Sequence, residues 1–221
     1  MPTEGGAEMT RLGAVRERYS AMSYLRSQAQ KSDQELIADF KTGEQEAFKD
    51  LVLKYEGRVY HHCLRMVNDE EESADLTQEV FLKVFRNIKN YEHTYSFYTW
   101  LYRITVNCCI DYMRKRKRQV QSISLSQGHY DDSSEMGKDQ DIPDEKFSPD
   151  HRMAKLELNE ILNGAIAQLS EKLRSIIILK EIEGFSYDEI AVILNCSRGT
   201  VKSRLFRARE RLKAVLSPLM K

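Results

Sequence analysis

The chain has 221 residues, room for one or two domains of ordinary size, and its 41% hydrophobic content is enough for real cores. Its 34 Lys+Arg balance 34 Asp+Glu, but the balance is not local. Cys196 to Lys221 carries eight basic residues against one acid, Trp100 to Arg118 six against one, and Gln119 to Arg152 three against eight, so the zero total hides two candidate phosphate-binding surfaces. The four cysteines (Cys63, Cys108, Cys109, Cys196) form no CxxC pair and no zinc-spaced cluster, and read as reduced, buried thiols of a cytoplasmic protein. His61, His62 and Cys63 point about 100° apart along a helix and so are poorly placed to share one ion; no metal or cofactor is expected. No apolar run approaches the roughly 18 residues of a membrane span, and no signal-peptide core is present, which predicts a soluble protein without membrane insertion.

Residues 1–31 have scattered charge, Gly5-Gly6 and little periodicity, and are expected to be a frayed extension in which Met1, Met9 and Met22 are alternative starts. Ser32 with Glu35 three residues on reads as a capping box opening a helix whose apolar face is Leu36, Ile37 and Phe40. Gly43 ends it. A second helix follows from Ala47 through Met66, broken at Asn68-Asp69. A third is expected from about Glu71 to Asn87, with Val80, Phe81, Val84, Phe85 and Ile88 as a core stripe and Asp75, Gln78, Glu79, Lys83 and Arg86 on the other side.

Tyr91 to Tyr102 is dense in aromatics, and a helix is expected from about Ser96 to Arg116. Between its apolar faces lies a polar stripe of Trp100, Arg103, Asn107, Asp111 and Arg114, ending in Arg114-Lys115-Arg116-Lys117-Arg118. These aromatics and bases read equally as core plus a helix end complementing its dipole, or as a surface for single-stranded nucleic acid, stacking on bases and holding the backbone. Residues 119–152 are polar and acidic, with Pro143 and Pro149, and cannot bury enough to order themselves; they read as a flexible linker. From Met153 helices return. Leu156, Leu158, Ile161, Leu162, Ala165, Ile166 and Leu169 suggest an amphipathic helix, and Ser170 an N-cap for the next, which Glu183-Gly184 stops.

Gly184 to Leu216 then reads as two helices around a tight turn at Asn195-Cys196. Ser186 and Glu189 form a second capping box, with Ile190, Ala191, Ile193 and Leu194 inward. On the next helix Val201, Leu205, Ala208 and Leu212 share one direction, and bases cover the remainder. One acid cannot pair seven or eight bases, so an ordinary salt-laced surface helix is a poor account; a helix-turn-helix whose second helix enters the major groove is the better one. The predicted fold is all-α: two small helical domains, residues 32–118 and 153–221, joined by a flexible acidic linker at 119–152, the second domain a helix-turn-helix.

Three motifs in order are similar to those of the sigma-70 superfamily of bacterial RNA polymerase sigma factors, specifically the small extracytoplasmic-function (ECF) type. Ala-Asp-Leu-Thr-Gln-Glu-Val-Phe (74–81) resembles the helix that binds the polymerase clamp. Ser-Phe-Tyr-Thr-Trp-Leu-Tyr-Arg-Ile (96–104), with Asn107 and Asp-Tyr-Met-Arg-Lys-Arg (111–116), resembles the promoter-melting helix. Gly-Thr-Val-Lys-Ser-Arg-Leu-Phe-Arg-Ala-Arg (199–209) resembles the recognition helix. The resemblance implies a sigma-2-like first domain, a sigma-4-like second domain and an initiation subunit that is not an enzyme. It implies core RNA polymerase (beta-prime clamp helices and beta flap) and promoter DNA as partners, with an anti-sigma factor as a further candidate.

The resemblance also implies residue roles. Asp75, Gln78, Glu79, Phe81 and Lys83 would meet core polymerase. Asn107 and the loop from Tyr91 to Phe97 would capture a base flipped from the minus-ten element, with Arg103, Arg114, Lys115 and Arg116 in the same minus-ten surface and Trp100 either packing or wedge. Lys202, Ser203, Arg204, Phe206 and Arg207 would read the minus-thirty-five element, arginine suiting guanine and phenylalanine a thymine methyl; Arg198, Thr200 and Arg209 would hold phosphates. Cys108-Cys109 stands where small or aliphatic residues are common, which makes redox sensitivity conceivable. The competing expectation is a free-standing helix-turn-helix regulator that binds duplex without polymerase.

Overall fold

The computed structural model describes residues 31–126 and 161–217, and every described element is helical. The expected N-terminal extension, most of the acidic linker and Leu156 and Leu158 lie outside the described residues. Helix α1 (Asp33–Thr42) starts at the expected capping box, and Gly43 ends it at φ 112°, a left-handed conformation that a side chain would strain. Helix α2 (Gln45–Val67) ends at Asn68, also left-handed at φ 56°. Helix α3 (Glu70–Asn87) is capped by Asp69, whose side chain accepts from the Glu72 N–H, and passes through a 3-10 turn, Ile88–Asn90.

Helix α4 (Phe97–Ser126) runs past the expected end at Arg116, so the first residues read as linker are helical. Positions 114–118 are therefore mid-helix, and their charges cannot complement the helix C-terminus, because the dipole acts only within the last turn. Helix α5 (161–167) leads to α6 (Glu171–Ile177), continued by a π-turn, Ile178–Ile182. Ser170 precedes α6 in extended conformation, but its side chain makes no capping bond. Helix α7 (Tyr187–Ile193) has the second expected capping box, and Asn195 makes the turn at φ 46° before α8 (Arg198–Leu216).

Helices α2, α3 and α4 bury Leu51, Val59, Cys63, Met66, Val80, Val84, Leu101 and Val106, and α6–α8 bury Ile176, Leu179, Ile190, Val201 and Leu205. Three apolar expectations differ. Phe85 is 49% exposed, because α1 and α2 cover only one edge of its ring, where Phe40 (5.4 Å) and Phe48 (5.1 Å) meet it. Ile161 and Leu162 are exposed at 37% and 36%, on the turn of α5 that no described element covers.

The two helical units also pack against each other, and their buried residues form one continuous cluster. Phe185, in the turn before α7, stacks on Tyr98 of α4 with centroids 4.9 Å apart and meets Tyr102 edge-on at 5.0 Å. Nothing in the helical periods announces this joint, since each unit's pattern closes on itself.

Candidate nucleic-acid and polymerase interfaces

The first candidate surface is the outer side of α3. Asp75, Gln78 and Glu79 recur at helical spacing and are exposed, so their side chains share one face. Leu82, the next residue on that face, is 55% exposed. Sequence reasoning passed over it, although an apolar residue interrupting a polar stripe was the available signal. Phe81 is 8% exposed, its ring turned into the core, so it does not extend this face. Lys83 faces the other way, toward α4: its Nζ lies 2.7 Å from Glu79 and donates to the Cys108 Sγ at 3.2 Å.

That orientation helps to build the second surface. A cavity of about 350 Å³ opens between α3 and α4, lined by Trp100, Arg103 and Asn107 from α4 and by Lys83, Asn87 and Asn90 from α3 and the turn after it. The size lies at the lower end of ligand pockets. Arg103 and Asn107 are exposed at its mouth. Trp100 is half-buried, packed on Tyr91 (5.2 Å) and Phe97 (5.8 Å), and lines the cavity. The loop from Tyr91 is held from two sides: Lys41 Nζ donates to the Tyr91 carbonyl at 2.9 Å and Tyr91 Oη to the Tyr95 carbonyl at 2.5 Å. A carboxamide carries a donor and an acceptor side by side, so Asn107 beside two cations and an indole is equipped to read a base edge.

Arg114, Lys115 and Arg116 do not join this cavity. They are exposed further along α4, Arg114 about 10 Å along the axis from Asn107 by helical rise. Arg116 instead lines a cleft with Leu169, Ser170 and Glu171 of the helix-turn-helix unit. Spaced cations with no carboxylate partner among the described residues suit a phosphate backbone better than a base.

Cys63, Cys108 and Cys109 are shielded in this setting, whereas Cys196, expected to be buried, is half-buried in the turn before α8. Cys109 Sγ lies 3.6 Å from Cys63 Sγ, both fully buried, and that contact together with burial pushes the Cys109 thiol well above its ordinary value. Burial also raises the Cys108 thiol, outweighing the Lys83 ammonium beside it. Thiolate is the reactive form, so neither is set up as a sensor.

The third surface is α8. Val201, Leu205 and Ala208 are essentially fully buried and fix its rotation against α6 and α7. Lys202, Ser203, Phe206 and Arg207 face outward and Arg204 is half-buried. Phe206 is 67% exposed, a large apolar ring in water with no structural reason to be there. Ser197 caps the helix, its Oγ accepting from the Thr200 N–H at 3.1 Å. Arg198 reaches Asp188 at 3.4 Å and Arg209 reaches Glu181 at 2.6 Å. Arg209, expected as a phosphate contact, is thus engaged by a carboxylate, while Arg207 has no carboxylate within ion-pair distance among the described residues.

Between the units lie polar groups that sequence reasoning missed. Glu183 accepts from Tyr102 Oη at 2.7 Å and Tyr98 Oη at 3.2 Å, and its other oxygen is 3.4 Å from His62 Nδ1. Burial works against its charge, yet His62 and Tyr102 outweigh burial and hold the carboxyl below its ordinary value. Arg174 donates to the Met66 carbonyl in the last turn of α2 and to the Ala167 carbonyl, so a cation of the second unit closes the helix end of the first. Thr99 Oγ1 donates to Glu189 at 3.3 Å. His62 Nε2 and Arg174 Nε are buried without a hydrogen-bond partner, each costing about 1–3 kcal/mol of desolvation.

A helix-turn-helix whose second helix turns an arginine and a phenylalanine outward, set beside a helical unit with a polar cavity, fits the class of DNA readers. Residues 51–119 match sigma-70 region 2 and residues 159–212 match sigma-70 region 4. The chain is 36% identical over 192 residues to the RNA polymerase sigma-H factor of Pseudomonas aeruginosa, covering 87% of this chain and 97% of that one. It is 36% identical over 194 residues to the ECF RNA polymerase sigma-E factor of Haemophilus influenzae, covering 86% and 98%. A solved structure of the sigma factor RpoE with the anti-sigma factor NepR from Bartonella quintana superposes with a TM-score of 0.59 at 28% identity, over 78% of this chain and 98% of that one.

The chain belongs to the sigma-70 family of RNA polymerase sigma factors and is of the ECF type. It is an alternative sigma factor, a transcription initiation factor that directs RNA polymerase to promoter DNA. These comparisons lend no support to a free-standing regulator. Among the described residues no helix is long and apolar enough to cross a membrane.

Proposed function

We propose a division of labour among the three surfaces. The α3 face of Asp75, Gln78 and Glu79, with Leu82 as its apolar member, docks on core polymerase at the beta-prime clamp helices, and the helix-turn-helix unit meets the beta flap. Phe81 supports this face from beneath. The cavity between α3 and α4 holds a base flipped from the minus-ten element, read by Asn107 with Arg103 and Lys83 beside it and Trp100 as its wall. Arg114, Lys115 and Arg116 carry the strand's phosphates onward. In α8, Lys202, Ser203, Arg204, Phe206 and Arg207 read the minus-thirty-five element and Arg198 and Thr200 position it. The chain works in the cytoplasm, supplies no catalytic group and leaves the chemistry to the polymerase.

The observation that carries this reading is the cavity: flipping a base costs a few kcal/mol of unstacking, which a pocket with a carboxamide, two cations and an aromatic wall is built to recover. Asn107→Ala should leave closed promoter complexes intact and reduce open ones, followed by permanganate reactivity of unstacked thymines on a matched promoter with core polymerase. Unchanged reactivity would remove Asn107 from strand capture. Replacing Asp75, Gln78 and Glu79 together by alanine should abolish co-purification with core, and retained co-purification would rule that face out.

A further inference from the structure

Asn87, one turn after Lys83 on α3, is exposed and lines the cavity between α3 and α4 together with Arg103 and Asn107. Its amide is fixed: Nδ2 donates to the Lys83 carbonyl at 2.7 Å. A carbonyl oxygen only accepts, so the nitrogen must be the end of the amide that faces it. Oδ1 is then the atom that Asn87 offers to anything else, and among the described residues none donates to it.

The other fixed groups of the cavity are donors. Lys83 Nζ lies 2.7 Å from Glu79 and donates to the Cys108 Sγ at 3.2 Å, which leaves one of its three protons for a ligand. The hydrogen bond with Glu79 holds the ammonium above its ordinary value, so it stays a cation. Arg103, exposed at the mouth, is a donor at every nitrogen. Asn90 and Asn107 each carry a donor and an acceptor, and no hydrogen bond among the described residues fixes which one turns inward. They follow the base and do not choose it.

Donors alone would accept any base with a carbonyl, thymine and guanine included. One fixed acceptor among them is more selective, because a flipped base is read along its Watson–Crick edge. That edge in cytosine runs amine, ring-nitrogen acceptor, carbonyl acceptor, and in adenine amine, ring-nitrogen acceptor. Thymine presents carbonyl, N–H, carbonyl. Guanine presents carbonyl, N–H, amine. We infer that Asn87 is the specificity-determining residue of this cavity: its Oδ1 accepts from the exocyclic amine of the flipped base while Lys83 and Arg103 donate to the acceptors beside that amine. The cavity therefore takes cytosine first and adenine second. Thymine would set a carbonyl against the Asn87 oxygen with no proton between them, and guanine, turned to bring its amine there, would set its ring N–H against the cations. A buried polar group left facing its own kind loses its hydrogen bond and keeps the cost of desolvation. The inference rests on the reading of this cavity as the seat of a minus-ten base.

The test uses holoenzyme assembled from the full chain and core polymerase, with single-stranded non-template oligonucleotides that span the minus-ten element of a matched promoter. An abasic substitution at each position in turn finds the captured base as the one whose loss weakens binding by the wild type but not by Asn107→Ala. Cytosine, adenine, thymine, guanine and pyrimidin-2-one, which is cytosine without its amine, are then placed there. The wild type should bind cytosine about tenfold more tightly than pyrimidin-2-one or thymine, with adenine between. Asn87→Leu should bind cytosine and pyrimidin-2-one alike, and Asn87→Asp, which keeps an acceptor, should retain the preference. Equal binding of cytosine and pyrimidin-2-one by the wild type overturns the inference, as does a preference that survives Asn87→Leu. If no abasic position meets the criterion, the cavity holds no base and the reading beneath the inference falls with it. If one does and the amine has no effect, the inference alone falls.

Discussion

The two regions proposed to face DNA have opposite shapes. Helix α8 is convex: Val201, Leu205 and Ala208 anchor one side, and each outward residue stands alone against solvent, Phe206 most of all at 67% exposure. The α3–α4 site is concave: Asn107 and Arg103 share a cavity with Lys83, Asn87 and Asn90, about twenty residues away in sequence on another element. A convex reader divides its affinity into nearly independent contacts, one per base edge. A concave one makes every wall residue depend on the others, because a base taken out of its stack must be enclosed.

The largest effect should come from removing the anchor of the convex region. Leu205→Ala empties a fully buried position between α8 and its supporting helices and should cost about 2–5 kcal/mol of stability. Thermal unfolding should show it as a marked drop in midpoint, with binding to isolated minus-thirty-five duplex lost as α8 loses its support. A change below about 1 kcal/mol would mean that α8 is held by its turn and not by its core. Next comes Arg207→Ala, with an expected loss of about 1–3 kcal/mol against the matched element and weaker discrimination from a mutated one, read by competition binding. Equal losses on matched and mutated duplex would make Arg207 a phosphate contact.

How much was legible before the structure follows the same division. The capping boxes at Ser32 and Ser186, the glycine stops and the outward face of α8 are local patterns, and a helix that shows its residues to solvent shows them in sequence too. Asn107, Arg103 and Trp100 were legible as a stripe. Lys83 was assigned to the polymerase face, since periodicity gives the direction of a side chain from its own helix axis but not what stands opposite. Phe85 was expected inside because its helical angle matched the core stripe, but Phe40 and Phe48 of α1 and α2 meet only part of its ring and the rest stays in solvent. Glu183 and Arg174 had no signal at all: Glu183 reads as part of a helix stop and Arg174 as an ordinary charge on a short helix, and the partners that hold them on the other unit are remote in sequence.

A smaller effect separates positioning from reading within the convex region. Ser197→Ala removes the cap that accepts from the Thr200 N–H and should cost about 1 kcal/mol of helix stability. Fraying would be confined to the first turn, where Arg198 and Thr200 sit, so affinity should fall alike on matched and mutated elements and the salt dependence of binding should become shallower. A loss of discrimination instead would place the first turn among the base-reading residues.

The smallest effect bears most directly on the contrast. In a double-mutant cycle on open-complex formation, Lys83→Ala and Asn107→Ala should not add: both line one cavity, and removing either wall leaves the other with a base it no longer encloses. Coupling of at least about 0.5 kcal/mol is expected, the level above which residues in contact depart from additivity. In the same cycle on minus-thirty-five binding, Lys202→Ala and Arg207→Ala should add to within about 0.3–0.5 kcal/mol, since the two point outward from different turns and touch no common protein group. Coupling in α8 with additivity in the cavity would reverse the assignment of shape to mechanism. In that case Lys83, held by Glu79 at 2.7 Å, would belong with the polymerase face after all.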